Sequence, residues 1–434
     1  MAPCSSPIVG GRIFGSRLIL RFCRTAIFAG CTIHVFPGKE VILDADAHIA
    51  EPHDLWSEFI EEEYYSRRPL VAPRIEGQKG RGKGGSFLPC ELFPEGTVKK
   101  GTVQGGGGSR KATVEIDDFM PQKYGQAWDA DFTPESRIAD METHGWDKQV
   151  CIDNFPAPMR SFREGKDQGL IWACARAYNN WARSFCDTDP SKLKMVGVLP
   201  NQHDVPGLII EARRAVEELG AVTLIMPSPA VGKNWQDPEY DGFWKLCEDL
   251  DVPVSFHGVS TGFPHTGSRY QPRHLVTGPE VALEHALGFP FENMISLGHV
   301  IYLGILEKFP KLRTSFLEGN AGWLPFWLGR LDDHAAQDAR QAMWFDADAL
   351  SLSPSEYFLR QGYVACDPDE FALKSVIDLL GEDNIVWNTD YPHPDGSDPD
   401  KAVPLFLEQP IPESAKKKIL WDNPVNLYGK RILS

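Results

Sequence analysis

The 434-residue chain is longer than most single domains, but α/β barrels often exceed about 250 residues as one domain, so its length does not require two. The formal net charge of -16 disfavours nucleic acid or an anionic membrane as a general partner, because both need a basic surface. Nine cysteines without CxxC spacing disfavour a disulfide framework and indicate reducing, cytoplasmic surroundings. We therefore expect a small-molecule substrate. The sequence is also compatible with a homodimer.

Residues 1–38 differ in composition from the rest of the chain. They contain no acidic residue, and Arg12, Arg17, Arg21 and Arg24 interrupt the apolar residues too often for a transmembrane span. This composition predicts an N-terminal extension that is either disordered or directs the chain to an organelle. A clean apolar region followed by a small-residue cleavage site is missing, and an upstream start codon would produce the same pattern.

The stretch 41–52, Val-Ile-Leu-Asp-Ala-Asp-Ala-His-Ile-Ala-Glu-Pro, is an apolar run that ends in carboxylate and imidazole groups. Because side chains alternate along a strand, we expect Asp44, Asp46 and His48 to share one face, with Ile42 on the same face. Asp46 and His48 could then bind one ion side by side. The alternative is a strand end whose polar residues face solvent.

Residues 66–123 are rich in glycine, with runs at 77–85 and 105–108, and show little hydrophobic periodicity. This composition predicts a long surface insertion in a barrel domain that covers 39–434. Its basic residues would either attract an anionic substrate or form a solvated linker.

The remaining sequence alternates between strand and helix patterns. Eight apolar segments predict strands, at 41–46, 148–153, 195–199, 221–226, 252–257, 312–318, 363–367 and 385–390. Helical spacing is found at 135–145, 169–186, 205–219, 240–249, 280–287, 294–308, 369–380 and 413–419. Eight strand–helix units predict a TIM-type (β/α)8 barrel.

Polar residues follow several of the predicted strands. Asp46 and His48 follow the first strand, His257 ends the fifth, Glu318 ends the sixth and Asp390 ends the eighth. Barrel chemistry lies at the carboxyl ends of the strands, so these side chains should meet at one rim. Two imidazoles with carboxylates suit one divalent ion, zinc or manganese.

Several motifs give the chain a specific resemblance over roughly residues 40–430, apart from the glycine-rich insertion. They lie at 44–52, 137–145, 178–179, 251–257, 308–313, 324–332 and 388–395. In order and spacing they resemble the amidohydrolase-related family, the branch of the amidohydrolase superfamily that contains aminocarboxymuconate-semialdehyde decarboxylase and the resorcylate- and vanillate-type decarboxylases. The resemblance implies a (β/α)8 barrel with one divalent metal.

The same resemblance implies the metal ligands Asp46, His48, His257 and Asp390. One departure concerns the strand-six position, where those decarboxylases carry a histidine and this chain has Glu318 within Leu-Glu-Gly-Asn. Glu318 is therefore the nearest replacement for the imidazole acid or base.

Three further residues have competing interpretations. Glu51 is either an additional ligand or a cap for the following helical turn. His393 either contacts the substrate or supports its Tyr-Pro-His-Pro loop. His299 falls in a helical pattern and is expected to be a packed or surface residue.

These observations predict a metal-dependent enzyme that acts on a small carboxylated aromatic or unsaturated compound. In hydrolysis, Asp390 or Glu318 would accept a proton from metal-activated water. In non-oxidative decarboxylation, a carboxyl group would protonate the ring carbon as carbon dioxide leaves. The alternative is a catalytically silent barrel that serves as a binding or scaffold protein.

Overall fold

The computed structural model describes residues 41–52, 54–69, 119–153, 167–199, 203–226, 235–257, 279–336 and 350–434. Eight parallel strands form one sheet in the order β1 to β8, with neighbours in the sheet also consecutive along the chain. The strands are β1 Leu43–Ile49, β2 Lys148–Asp153, β3 Leu193–Val198, β4 Thr223–Met226, β5 Val254–His257, β6 Thr314–Leu317, β7 Gly362–Cys366 and β8 Ile385–Trp387. The predicted (β/α)8 barrel is confirmed, and each predicted strand overlaps an observed one.

Helices connect and surround the strands in the described parts of the chain. The longer α-helices are Pro134–His144, Gln168–Cys186, Val205–Glu217, Asp241–Asp249, Pro279–Tyr302, Leu324–Ala336, Pro354–Gln361, Leu373–Leu380 and Pro399–Leu407. Shorter α-helices span Leu55–Phe59, Gln126–Asp129, Ile305–Lys308, Glu413–Lys417 and Asn423–Tyr428. Short 3-10 helices occupy Glu62–Arg67, Pro238–Tyr240 and Gly429–Leu433, and a π-helix occupies Lys418–Asp422.

The helices predicted at 280–287 and 294–308 were divided wrongly. One helix runs from Pro279 to Tyr302 with Pro290 inside it, and Ile305–Lys308 follows as a separate turn. Proline removes one backbone donor and bends a helix, but packing of the flanking residues can keep the helix continuous.

A β-bulge in β1 changes which residues face the barrel interior. Asp44 pairs with Gln149, whereas His48 pairs with Ile152, and the register shifts between Asp44 and Ala47. The bulge places one extra residue in β1 and reverses the alternation of side chains beyond it. The prediction that Asp44 shares a face with Asp46 and His48 is therefore wrong.

The interior of the barrel below the rim is mainly apolar, apart from the buried hydroxyls of Thr223, Ser255 and Ser315, which are hydrogen-bonded to one another. Its buried cluster contains Leu43, Ala45, Val150, Ile152, Val196, Ile225, Leu317, Ala365 and Val386. The C-terminal segment packs on this cluster through Leu427, Tyr428 and Ile432, and Arg313 Nε, just before β6, donates to the Leu427 carbonyl at 2.7 Å. This segment therefore lies at the amino ends of the strands and leaves the carboxyl ends for the candidate site.

The cysteines in the described residues serve as packing residues. Cys151, Cys174, Cys186, Cys247 and Cys366 are all free and buried. Within the described part of the chain, these five cysteines form no disulfide. Among the same residues, none of the helices combines the length and apolar character needed to cross a membrane.

Candidate metal centre

The predicted ligands and the predicted catalytic residue Glu318 lie at the carboxyl ends of four strands. Asp46 and His48 belong to β1, and His257 is the last residue of β5. Glu318 follows β6 directly with φ of 54°, and Asp390 follows β8 with φ of 56°. Both carboxylates therefore sit where the backbone turns in the left-handed region, an uncommon conformation for residues other than glycine.

The structure brings these side chains within a few ångströms of one another. His48 Nε2 lies 3.3 Å from Asp46 Oδ1 and 3.2 Å from Asp390 Oδ1. His257 Nε2 lies 3.6 Å from Asp46 Oδ2 and 2.7 Å from Glu318 Oε2. Asp46, His48 and His257 form one group that could hold a cation, and His48, Glu318, Asp390 and His393 form a second group that shares His48.

The orientation of His48 suits a metal ligand. Its Nδ1 lies 2.8 Å from the backbone carbonyl of Asp153, so this nitrogen carries the proton and donates to that oxygen. Nε2 then faces the carboxylates of Asp46 and Asp390. A metal-binding histidine commonly has its other nitrogen fixed in this way by a carbonyl or carboxylate.

Several buried polar atoms of the cluster make no hydrogen bond to any described residue. They are both carboxylate oxygens of Asp46, Nε2 of His48, Oε2 of Glu318 and Oδ1 of Asp390. Buried polar atoms are normally satisfied, so their convergence here needs an explanation. A divalent cation beside His48, which belongs to both groups, would give several of these atoms a partner, and an imidazole and carboxylate donor set fits such an ion.

Burial and neighbouring charge shift the ionisation of the cluster. Burial lowers the pKa of His257 to about 4, which keeps this imidazole neutral and able to bind a metal. Burial also lowers the pKa of His48, but the carboxylates of Asp390 and Asp46 outweigh it and raise the pKa well above its ordinary value. Metal binding at Nε2 would release that proton.

The two predicted catalytic carboxyls shift in opposite directions. Burial raises the pKa of Glu318 well above its usual range, and the charge of Asp390 adds to the shift. Burial raises the pKa of Asp390 as well, but His393 and His48 outweigh that effect and hold it below its usual range. Two carboxyl groups in one site with pKa values pushed apart are typical of an acid and a charged ligand.

His393 belongs to the cluster. Its Nδ1 lies 2.6 Å from Asp390 Oδ1, and its ring stacks on His48 with 4.0 Å between centroids. Glu51 is buried but is not a member of either group of potential ligands, and the helix Leu55–Phe59 has no side-chain cap. His299 lies away from the cluster against the Trp235 ring, at 5.7 Å between centroids.

A buried polar layer behind the cluster was missed by the sequence analysis. Asp44 accepts hydrogen bonds from Thr389 N at 3.0 Å, Thr389 Oγ1 at 2.6 Å and Gln149 Nε2 at 3.0 Å. Arg137, fully buried, donates to Gln149 and to the His48 carbonyl. The sequence contains one indication of this layer, the polar residue Gln149 inside an apolar strand. A buried amide side chain needs hydrogen-bond partners, so other polar groups were to be expected near it.

A cavity of about 470 Å³ opens beside the cluster. Phe289 and Pro290 supply apolar surface, and Glu318 and Asp390 connect the cavity to the potential ligands. Further acidic residues in its lining are Asp367, Asp369, Asp395 and Asp398. Its volume suits a small molecule.

Comparison with known proteins places the chain in a family. The sequence model of the amidohydrolase family matches residues 43–430. The 2-amino-3-carboxymuconate-6-semialdehyde decarboxylase of Dictyostelium discoideum is 27% identical over 325 residues, which cover 74% of this chain and 82% of the relative.

Two solved structures share the fold. An amidohydrolase from Mycobacterium avium subsp. paratuberculosis has a TM-score of 0.65 at 18% identity, over 90% of this chain and 99% of that one. A dihydroxybenzoic acid decarboxylase from Polaromonas sp. JS666, with bound manganese and the inhibitor 2-nitroresorcinol, has a TM-score of 0.57 at 19% identity, over 90% of this chain and 97% of that one. The chain therefore belongs to the amidohydrolase family, as its motifs predicted.

Proposed function

We propose that this protein is a metal-dependent decarboxylase that removes carbon dioxide from a small carboxylated aromatic or unsaturated compound without oxidation. The observation that supports this most is the convergence of Asp46, His48, His257 and Asp390 beside a cavity of small-molecule size. The relative from Dictyostelium and the manganese-containing structure are both decarboxylases by name. Neither the cluster nor the relatives favour a catalytically silent scaffold.

In this proposal Asp46, His48, His257 and Asp390 hold one divalent ion, zinc or manganese. When bound, the ion supplies positive charge that orients the substrate carboxylate and a neighbouring oxygen. The chain's own residues carry out the remaining steps. Phe289 and Pro290 offer an apolar wall for the ring, and Asp46 and Asp390 balance the charge of the ion.

Glu318 is the proposed proton donor. Its carboxyl group lines the cavity, and Oε2 lies 2.7 Å from His257 Nε2. The proton moves from Glu318 to the ring carbon that bears the carboxylate, the bond between that carbon and the carboxylate breaks, and carbon dioxide leaves. Glu318 then regains a proton from water.

Metal analysis tests this proposal directly. Protein purified without chelator should contain about one zinc or manganese per chain by elemental analysis, because buried acceptors without donors need a cation. His257→Ala should lose most of it, since an imidazole ligand disappears. Lys374→Met, at an exposed ion pair with Asp378, is the matched control and should keep the metal. A wild-type protein without stoichiometric metal would refute the site.

Substrate screening follows from the same assignment. Hydroxylated and amino-substituted aromatic carboxylates should be tested for metal-dependent release of carbon dioxide. Carbon dioxide release by wild type and its loss in His257→Ala would support decarboxylation. Metal-dependent cleavage of an amide or ester without carbon dioxide release would favour hydrolysis instead.

The remaining expectations about the whole chain stay predictions. We propose an extension at 1–38 and a barrel from 39 to 434 with a glycine-rich insertion at 66–123. Residues 1–38 and most of the insertion lie outside the described residues, although the ends of the insertion fall on the 3-10 helix Glu62–Arg67 and a helical turn at 119–124. Cysteine usage supports a cytoplasmic location, and a homodimer remains to be tested.

A further inference from the structure

Two side chains from the helical turn at 119–124 hold the loop that carries His393. Lys123 Nζ donates to the carbonyls of His393 at 3.3 Å and Pro394 at 3.0 Å, and also to that of Gly396. The Tyr124 hydroxyl donates to the His393 carbonyl at 2.5 Å. We call Lys123 and Tyr124 the carbonyl clamp and residues 393–396 the clamped loop.

The clamped loop folds tightly onto Asp390. His393 N donates to the Asp390 carbonyl at 2.9 Å, and His393 Nδ1 lies 2.6 Å from the Asp390 carboxylate. A Cβ atom at Gly396 would lie 2.9 Å from the Thr389 carbonyl oxygen and 3.0 Å from that of Asp390, so only glycine permits this approach. The position of the loop is thereby coupled to the position of the Asp390 side chain.

Lysine and tyrosine are well suited to donate hydrogen bonds to several backbone carbonyl oxygens that converge on one point. An ammonium group carries three donors and no acceptor, so one lysine can satisfy three carbonyls. Lys123 is half-buried, and Tyr124 is buried with its ring 5.2 Å from that of Tyr391. The Tyr391 carbonyl in turn accepts from His48 N at 2.6 Å, so the Tyr124 ring packs against a residue that follows Asp390 in the chain and is hydrogen-bonded to His48.

We propose that Lys123 and Tyr124 are positioning residues of the metal centre, because they hold the clamped loop and thereby keep His393 against Asp390. The inference rests on the proposed metal site. It assigns a role to Lys123, the last residue of the predicted insertion at 66–123, and to the adjacent Tyr124. The hydrogen bonds of the clamp all go to backbone carbonyls of the clamped loop, so its effect on the ligands is expected to pass through His393 and Asp390.

Metal affinity of the apo protein is the decisive measurement. Chelator-treated full-length protein is titrated with manganese alone, and thermal unfolding is recorded in parallel. Lys123→Met should weaken manganese binding by about 10- to 100-fold, the range found for residues that orient metal ligands. Tyr124→Phe removes one hydroxyl and should weaken it by about 3- to 10-fold. Lys374→Met should bind like wild type.

A double-mutant cycle separates positioning from general destabilisation. In a His393→Ala background, Lys123→Met and Tyr124→Phe should have little further effect on manganese affinity, because the link to Asp390 is already broken. Lower thermal stability with unchanged manganese affinity in both clamp variants would overturn the inference, as would full additivity with His393→Ala. If Lys123→Met does not fold, Tyr124→Phe alone decides the outcome.

The same titration distinguishes the two proposals. Wild-type protein that fails to bind manganese or zinc contradicts the proposed function itself. Wild-type protein that binds the ion, loses it in His257→Ala and keeps it unchanged in both clamp variants contradicts only the positioning role.

Discussion

Glu318 and Asp390 both belong to the cluster and line the cavity, but burial raises the pKa of Glu318, whereas the neighbouring histidines hold that of Asp390 below its usual range. Glu318→Gln keeps the size of the side chain but removes the acid, so it should retain the metal and lower kcat by about two to four orders of magnitude. Steady-state kinetics and elemental analysis on the same preparation check both parts. Loss of the metal would make Glu318 a ligand rather than an acid, and a wild-type rate would shift the proton transfer to Asp390 or His393.

Glu370 is a second buried carboxylate with an unusual ionisation, and it anchors the turn after Glu318. Its two oxygens accept from Ala321 N at 2.8 and 3.0 Å, and burial raises its pKa from 4.5 to about 7. Because the folded protein binds this proton more tightly than the unfolded chain, wild-type stability should fall as pH rises from about 4.5 to 7.

The variant Glu370→Gln removes this titration. Between pH 5 and pH 8, wild type should lose about 2 kcal/mol of unfolding free energy relative to Glu370→Gln. Urea unfolding of both proteins at the two pH values measures the difference. A difference between the proteins that does not change with pH would show that Glu370 ionises normally in the folded state.

At the level of elements, the contact between β1 and the segment after β8 closes the barrel and aligns the candidate ligands. Asp390 N donates to the Asp46 carbonyl at 3.0 Å, and Thr389 donates twice to the buried Asp44 carboxylate. Thr389→Val keeps the shape of the side chain but removes the hydroxyl donor, so it should lower the free energy of unfolding by about 1 to 3 kcal/mol.

Urea denaturation compares this variant with Thr143→Val, where the hydroxyl donates to Ala139 O on an exposed helix surface. The control should change the free energy of unfolding by less than about 0.5 kcal/mol. Equal effects of the two substitutions would mean that the hydrogen bond between Thr389 and Asp44 does not contribute to the free energy of unfolding.

The elements that the sequence predicted best are those with strong local patterns. The strands Lys148–Asp153 and Val254–His257 and the helix Gln168–Cys186 agree with apolar runs and 3.6-residue spacing. Pairing between strands is not encoded in such local patterns, and for this reason the bulge in β1 and the outward position of Asp44 were missed. The nearness of His393 to Asp390 likewise depends on a loop whose path is set by distant donors at Lys123 and Tyr124.

At the level of the whole molecule, the barrel should fold without most of the glycine-rich segment. The composition of residues 77–108, which lie outside the described residues, cannot bury enough apolar surface to offset the entropy of ordering them. Replacing 77–108 with a short linker, while keeping 119–124, should leave the thermal transition nearly unchanged in calorimetry. Insoluble or molten protein would indicate that the segment packs on the barrel.

The bulge in β1 makes the number of residues in that strand as important as their identity. Beyond the register shift, His48 faces the interior because two residues of β1 stand opposite one residue of β2. A deletion between Asp44 and Ala47 would restore regular alternation. In one part of the strand, side chains that face the interior would then face outward, even if every ligand residue were retained. Insertions and deletions between Asp44 and Ala47 should therefore be tolerated less than substitutions of the small residues there. The difference between the two kinds of change should be largest at Ala45.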